Sequence, residues 1–286
     1  MKKIAAINDL SGAGRCSLMA AIPVLSVMGV QVYPLPTAVL SNQTGYPFYY
    51  MEDFTPHMKH FTQMWQRLGF CFDGIYTGFL AEVSQVEEIF RFLQVFRKKD
   101  TFLLVDPIMG DDGERYPGFD DALCSAIRDL TRQATLLTPN LTELCLLTGA
   151  DYGALTAGHG EENYLNRVAK VAEGLLSGCT TQVVVTGIRQ SLDGEEIFSN
   201  LIIERGQQEV VAARAEGGSF SGTGDLLASI LCGGAMRGMA LKDSVALAAE
   251  FIGKAIRRTR QEPYDRNDGI AFEPFLPMLL PDQNEQ

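Results

Sequence analysis

Short apolar runs and stretches with helical spacing take turns along most of this chain, and that rhythm restricts its possible folds more than any single motif does. Residues 3–7 form a short apolar run that breaks at Asp9-Leu10-Ser11-Gly12-Ala13-Gly14. Leu18, Ala21, Ile22, Leu25 and Met28 then repeat as a helix would. Further strands are predicted at 31–35, 74–76, 101–105, 135–137 and 182–186. Helices are predicted at 61–68, 83–96, 119–131, 141–147, 164–176, 226–236 and 243–257. The run at 101–105 is apolar enough for a strand covered on both faces. Strands that alternate with helices require crossover connections, so the reading is an α/β fold with a mostly parallel sheet. Late in the chain the rhythm changes. Residues 197–204 and 209–213, separated by Arg205-Gly206-Gln207, predict an antiparallel hairpin added to that sheet. No linker-like stretch or internal repeat divides the sequence, which predicts one domain over 1–286, with a polar and aromatic excursion at 41–56 as a flap or lid.

Composition narrows the function classes. The 286 residues carry 24 Lys plus Arg against 35 Asp plus Glu, a formal charge of −11, so nucleic acid and anionic bilayers would meet net repulsion. Hydrophobic residues at 46% with charged residues at 21% describe an ordinary folded protein. Cys16, Cys71, Cys124, Cys145, Cys179 and Cys232 are scattered without a C-x-x-C pair, which reads as reduced thiols in a cytoplasmic protein. Met1-Lys2-Lys3 imitates the start of a secretory leader, but Asn8-Asp9 ends the apolar run too early. No apolar stretch approaches the ~18 residues of a membrane span.

Three segments could carry chemistry. Gly217-Gly218-Ser219-Phe220-Ser221-Gly222-Thr223-Gly224-Asp225 immediately precedes a predicted helix. Glycines at a helix start let backbone N–H groups converge on an anion such as phosphate, and Asp225 in the first turn could take a proton from an attacking hydroxyl. Ser221 or Thr223 acting as a plain helix cap is the competing reading. Val105-Asp106-Pro107-Ile108-Met109-Gly110-Asp111-Asp112-Gly113 places Asp106 at the carboxyl end of a buried strand, where open α/β sheets bind ligands and where a carboxylate could hold Mg²⁺ through water. A strand-end turn in which Asp106 accepts local N–H bonds and Pro107 stiffens the loop is the competing and simpler reading. In Leu137-Thr138-Pro139-Asn140-Leu141-Thr142-Glu143, Asn140 and Glu143 share one face of a helix start. They could address a metal–phosphate assembly or simply cap the helix.

Other motifs fail. The first turn lacks the third glycine and the distant acid of a dinucleotide fingerprint. There is no G-x-x-x-x-G-K-[ST] and no G-x-S-x-G. His57 and His60 lie on one predicted helical face without a third ligand, and His159 sits among glycines as a surface loop residue.

The order of motifs nevertheless has a known counterpart. Val39-Leu40-Ser41-Asn42-Gln43-Thr44-Gly45-Tyr46, Tyr76-Thr77-Gly78-Phe79-Leu80, Asp106-Pro107-Ile108-Met109-Gly110-Asp111, Thr138-Pro139-Asn140-Leu141-Thr142-Glu143 and Ser221-Gly222-Thr223-Gly224-Asp225 together resemble the pyridoxal kinases, the vitamin B6 branch of the ribokinase-like superfamily. The resemblance covers nearly the whole chain. It implies a three-layer α/β/α sandwich and ATP-dependent phosphorylation of the 5′-hydroxymethyl group of pyridoxal, pyridoxamine or pyridoxine. It makes Asp225 the base and Gly222, Thr223 and Gly224 the anion hole. Asp106, Asp111 and Glu143 match positions that organise Mg²⁺, partly through water, and the ATP phosphates. Thr138, Asn140 and Thr186 match nucleotide-binding positions, and Thr44 a ring-binding position on the flap. A homodimer is implied, and a monovalent cation such as K⁺ is a further candidate cofactor. Three positions depart from the pattern: Asp9 replaces a serine at the pyridine ring, Phe79 a tyrosine, and Leu40 a frequent aromatic. A carboxylate near the ring nitrogen would favour a protonated pyridinium. A hydroxymethylpyrimidine or other small-alcohol kinase of the same superfamily, and a non-catalytic vitamer-binding protein, are the alternatives. ATP consumption with each vitamer separates them.

Overall fold

The computed structural model describes residues 1–158, 161, 163–192 and 194–281. His159 lies outside them. In chain order the first half runs β1 (Lys3–Ser11), α1 (Ser17–Val27), β2 (Gln31–Leu40), β3 (Met51–Asp53), α2 (Thr55–Arg67), β4 (Gly74–Thr77), α3 (Val83–Phe96), β5 (Phe102–Val105), β6 (Gly110–Asp111) and β7 (Glu114–Arg115). The second half runs α4 (Asp121–Thr131), β8 (Leu136–Leu137), α5 (Leu141–Thr148), α6 (Tyr152–Thr156), α7 (Tyr164–Glu173), β9 (Gln182–Leu192), β10 (Glu195–Glu204), β11 (Gln207–Arg214), α8 (Thr223–Arg237) and α9 (Leu241–Thr259).

Among the described residues nine strands form one sheet, in the order β11-β10-β9-β8-β5-β4-β1-β2-β3. The pairs from β2 through β1, β4, β5 and β8 to β9 are parallel. The predicted hairpin is β10–β11, paired antiparallel from Ile197↔Arg214 to Glu204↔Gln207, and β3 closes the other edge antiparallel to β2. Successive residues of a strand point to opposite faces, and here both faces are buried. Ala5, Ile7, Ile75, Leu103, Val105, Val183 and Val185 belong to a core that packs on α3, α4, α5 and α7. Ile4, Ala6, Tyr76, Leu104, Leu136 and Val184 belong to a second core under α1, α8 and α9. Two cores on either side of one sheet make the three layers.

Several boundaries differ from the predicted ones. β1 does not stop at Ile7: it continues through a bulge between Asn8 and Leu10 and pairs Leu10↔Val39 and Ser11↔Leu40 with β2. β2 runs on to Leu40 across Pro34 and Pro36. This is possible because β3 pairs only with residues 38–40 of β2, leaving the proline segment one hydrogen-bonding neighbour. α2 begins at Thr55, within the last residues of the 41–56 excursion, and carries His57 and His60 exposed. The sequence pattern predicts none of β3, β6, β7 and α6. The Asp112-Gly113 tip of the β6–β7 hairpin has both residues at positive φ (49° and 85°), and an Asp-Gly pair is the usual signal of such a two-residue turn. Among the described residues no helix is long and apolar enough to cross a membrane.

From β1 the chain steps to β2 on one side, and from β2 it returns to β4 on the other. The crevice beyond the carboxyl ends of β1 and β4 is therefore the topological switch point, where open α/β sheets place their ligands.

Candidate active site

The N-terminus of α8 points its first turn at that switch point. Gly222 is the residue before the helix and has φ 81°, a left-handed conformation that favours glycine. Its packing demands glycine independently, because a Cβ there would overlap the Arg15 carbonyl oxygen and lie 3.0 Å from Cys16 Cα. Neither Ser221 nor Thr223 caps the helix: among the described residues no side chain does, and the Thr223 hydroxyl instead donates to the Phe220 carbonyl at 3.3 Å. The first-turn amides thus face the cleft uncapped, as an anion site requires.

Asp225 sits in that first turn and is buried. Asn8 Nδ2 donates to its Oδ1 at 3.0 Å, the Tyr76 hydroxyl approaches the same oxygen at 3.4 Å, and the Ser17 amide also donates to the carboxylate. Burial pushes Asp225 up to about 6 and the Asp9 charge adds to the rise, against the pull of the Ser17, Asn8 and Tyr76 donors. A carboxylate poised there is ionised at neutral pH yet basic enough to accept a proton.

Asp106 follows β5 and accepts from Thr138 Oγ1 at 2.8 Å. Burial, then the Asp225 charge, raises it to about 7. The start of α5 is a capping box: Asn140 Oδ1 accepts from the Glu143 amide at 2.9 Å and Glu143 Oε2 accepts from the Asn140 amide at 2.8 Å. The helix-cap reading of this segment is therefore observed, and Asn140 and Glu143 also line the cleft. The same turn anchors the β6–β7 hairpin. Glu143 Oε1 accepts from the Met109 amide at 3.2 Å, Asn140 Nδ2 donates to the Gly110 carbonyl at 2.8 Å, and Thr142 Oγ1 accepts from the Gly113 amide at 2.8 Å. Asp111 is carried on that hairpin at the cleft wall. Burial, followed by the Asp106 charge, holds Glu143 well above the usual glutamate range.

A cleft of about 630 Å³ unites most of the predicted site. Asp106, Asp111, Thr138, Asn140, Glu143 and Thr186 line it together with residues 222–225. Arg189 and Arg266, which sequence reasoning missed, also line it; burial raises Asp111, and the charges of these two arginines only partly oppose that rise. Asp9, Leu40, Thr44 and Phe79 do not line this cleft. They belong to the carboxyl-end region of β1, β2 and β4: Asp9 and Leu40 are buried, Phe79 is half-buried and Thr44 is exposed. Asp9 is raised by burial, opposed by bonds from Ser17 and from Ser11 Oγ, the latter at 2.8 Å. Residues 41–50 are fastened over the α8 terminus, with Gln43 Nε2 donating to Asn267 Oδ1 at 3.0 Å and to Ser221 Oγ at 3.3 Å, and Tyr46 bonding Asp268.

Among the described residues Asp9, Asp106, Glu143 and Asp225 form no salt bridge. Nor do three His, Cys, Asp or Glu side chains converge into a ready metal cage among those residues. Buried carboxylates without a protein cation suit a hard cation completed by water and ligand oxygens.

The comparisons with known proteins agree with this geometry. A pyridoxine/pyridoxal/pyridoxamine kinase from Bordetella avium is 27% identical over 254 residues, covering 84% of this chain and 79% of the relative. A pyridoxal kinase from Lactobacillus plantarum superposes with a TM-score of 0.85 at 30% identity, covering 98% of this chain and 96% of that one. A protein from Bacteroides thetaiotaomicron assigned to the phosphomethylpyrimidine kinases, in a crystal form with pyridoxal, superposes with a TM-score of 0.88 at 36% identity, covering 99% and 97%. The model of the phosphomethylpyrimidine kinase family matches residues 11–269, a span that holds every segment of the cleft described above. On that match the chain belongs to the phosphomethylpyrimidine kinase family.

Proposed function

We propose that this enzyme phosphorylates the 5′-hydroxymethyl group of a vitamin B6 vitamer with ATP, using Asp225 as general base. The observation that carries this is the buried Asp225 carboxylate beside the uncapped first turn of α8. Proton acceptor and anion site thereby lie within one helical turn. The hydroxyl proton passes to Asp225 while its oxygen bonds to the γ-phosphorus and the bridging oxygen leaves with ADP. The amides of residues 222–224 receive the charge that builds on the transferring phosphoryl oxygens. Asp106, Asp111 and Glu143 would hold Mg²⁺, partly through water, and the ion supplies charge neutralisation of the phosphates. Glu143 already accepts two backbone amides, which favours water-mediated contact. Thr138, Asn140 and Thr186 line the nucleotide side, with residues 41–56 as a flap and 1–286 acting as one domain, as a homodimer in the cytoplasm.

Turnover of a B6 vitamer falls on the acid side as pH drops through about 6, because the base must be ionised and Asp225 is raised to that value. A profile of kcat/KM for the vitamer that stays flat from pH 5 to 8 would remove Asp225 from that role. On the ring side, Asp9 reads a protonated pyridine nitrogen. Asp9→Ser should therefore change the ratio of kcat/KM among pyridoxal, pyridoxamine and pyridoxine by roughly tenfold, the scale of one charged hydrogen bond. Unchanged ratios would leave Asp9 a structural residue.

The matching family model favours one second reading, a hydroxymethylpyrimidine kinase. ATP consumption against a panel of pyridine, pyrimidine and sugar alcohols, with Mg²⁺ and with or without K⁺, decides between them. A pyrimidine preferred by kcat/KM would overturn the vitamer reading.

A further inference from the structure

We propose that Asn8 is a positioning residue for Asp225, a brace whose orientation is set by the main chain of two adjacent strands and whose space is provided by Gly78. This rests on the reading of Asp225 as the base and adds to it a residue that no motif pointed to.

Asn8 lies in β1 at the bulge and is fully buried. Its amide has one arrangement available. The Asp9 and Phe79 backbone amides both donate to Asn8 Oδ1, at 3.0 and 2.8 Å. Two N–H donors can be met only by the side-chain oxygen, so the nitrogen faces the other way. It donates to Asp225 Oδ1 at 3.0 Å. Exchanging O and N would set two pairs of donors against each other and turn an acceptor toward a carboxylate. The side chain is thus clamped at one end by the amides of residues 9 and 79 and holds a catalytic oxygen with the other.

Gly78 completes the device. A Cβ at this position would overlap the Asn8 carboxamide, and Gly78 itself is tied to β1 through its amide, which donates to the Ile7 carbonyl at 2.9 Å. Neither backbone can retreat without breaking the β1–β4 ladder. Other groups facing Asp225 are Asp9 from β1, Tyr76 from β4, Cys16 at the start of α1 and Asp106 after β5. The Ser17 backbone amide at the start of α1 also donates to the carboxylate, and the Tyr76 hydroxyl reaches Oδ1 at a longer 3.4 Å. Asn8 is thus the closer of the two side chains that hold Oδ1, and the only one of them clamped at its far end by two main-chain amides; it sets, with the Ser17 amide, the line along which the substrate hydroxyl is met.

The decisive variant is Asn8→Asp. It keeps the shape and the oxygen that satisfies residues 9 and 79, but sets a second carboxyl group against Asp225, so that the two share one proton and the base loses the neutral donor that aligns its free carboxylate. Steady-state kinetics on the preferred vitamer should show kcat lower by about 30- to 100-fold, the scale of a misplaced catalytic group. KM for ATP and vitamer should stay within about threefold. In an Asp225→Asn background the same change should lower kcat by less than threefold, since the group it positions is gone. Gly78→Ala tests the brace without altering Asn8 and should lower kcat at least tenfold. Combining it with Asn8→Ala, which vacates the space, should cost less than the product of the two single losses. Melting curves identify any variant that does not fold, in which case Gly78→Ala carries the test. Asn8→Asp or Gly78→Ala with kcat within threefold of the parent, beside a collapsed Asp225→Asn, overturns the brace and leaves the base intact. Full turnover in Asp225→Asn overturns the base and the brace together.

Discussion

Asp225→Asn is expected to lower kcat by roughly 10²- to 10⁴-fold, the usual worth of a general base, while KM for ATP changes little and the protein becomes more stable. The two effects have one cause. Burial raises the folded-state Asp225 from 3.8 to about 6, so the folded protein binds this proton more tightly than the unfolded chain does. Stability consequently falls as pH rises from about 4 to about 6, and above that the full cost of the buried charge is present. Removing the charge returns on the order of 2–3 kcal/mol at neutral pH, or ~5 °C in melting temperature. The neutral side chain retains an oxygen to accept from Asn8. Thermal melts at two pH values check the sign. The variant should melt above its parent at pH 7, and the gap should close below pH 4. A variant that melts below its parent at pH 7 would show that the bonds from Ser17, Asn8 and Tyr76 stabilise the charged Asp225 by more than its burial costs.

The second large effect belongs to Gly222. Gly222→Ala places a side chain at φ 81° and into the Arg15 carbonyl, so the α8 terminus and the start of α1 must separate. Left-handed strain and overpacking together cost roughly 2–4 kcal/mol. Moving the first-turn amides off the phosphoryl group should also lower kcat by ~10²-fold or more. Gly224→Ala is the control. A Cβ there has no neighbour within 4 Å and Gly224 is exposed, so its melting temperature should match the parent and only ligand affinity should suffer. If Gly222→Ala melted like the parent, the close packing of α8 on residues 15–16 would not be the reason for glycine.

Legibility in the sequence followed burial. α3 was readable at Val83–Phe96 because its apolar stripe is uninterrupted, and the β10–β11 hairpin because its strands flank a Gly-containing turn. β1 was cut short at Ile7 because Asn8-Asp9 looks like a surface break. Both are buried, and they are polar because they serve the site rather than the core. The same ambiguity hid Asn8 and Tyr76 as partners of Asp225: periodicity registers what is apolar, not which buried polar group faces which. Asn140 and Glu143 left two readings open because a capping box and a cleft wall use the same residue types at the same spacing. The β6–β7 hairpin was too short for a periodic signal, although Asp112-Gly113 marked its turn.

The position of Asn8 has one further consequence. β1 is laddered to β2 and β4 at once, with Ile7 opposite both Leu35 and Thr77. A slip of one residue along either ladder would turn Asn8 to the opposite layer and leave Asp225 unheld. Phosphoryl transfer is in this sense a proofreader of the sheet: a chain whose central strands have paired out of step can be compact and soluble, yet it cannot turn over.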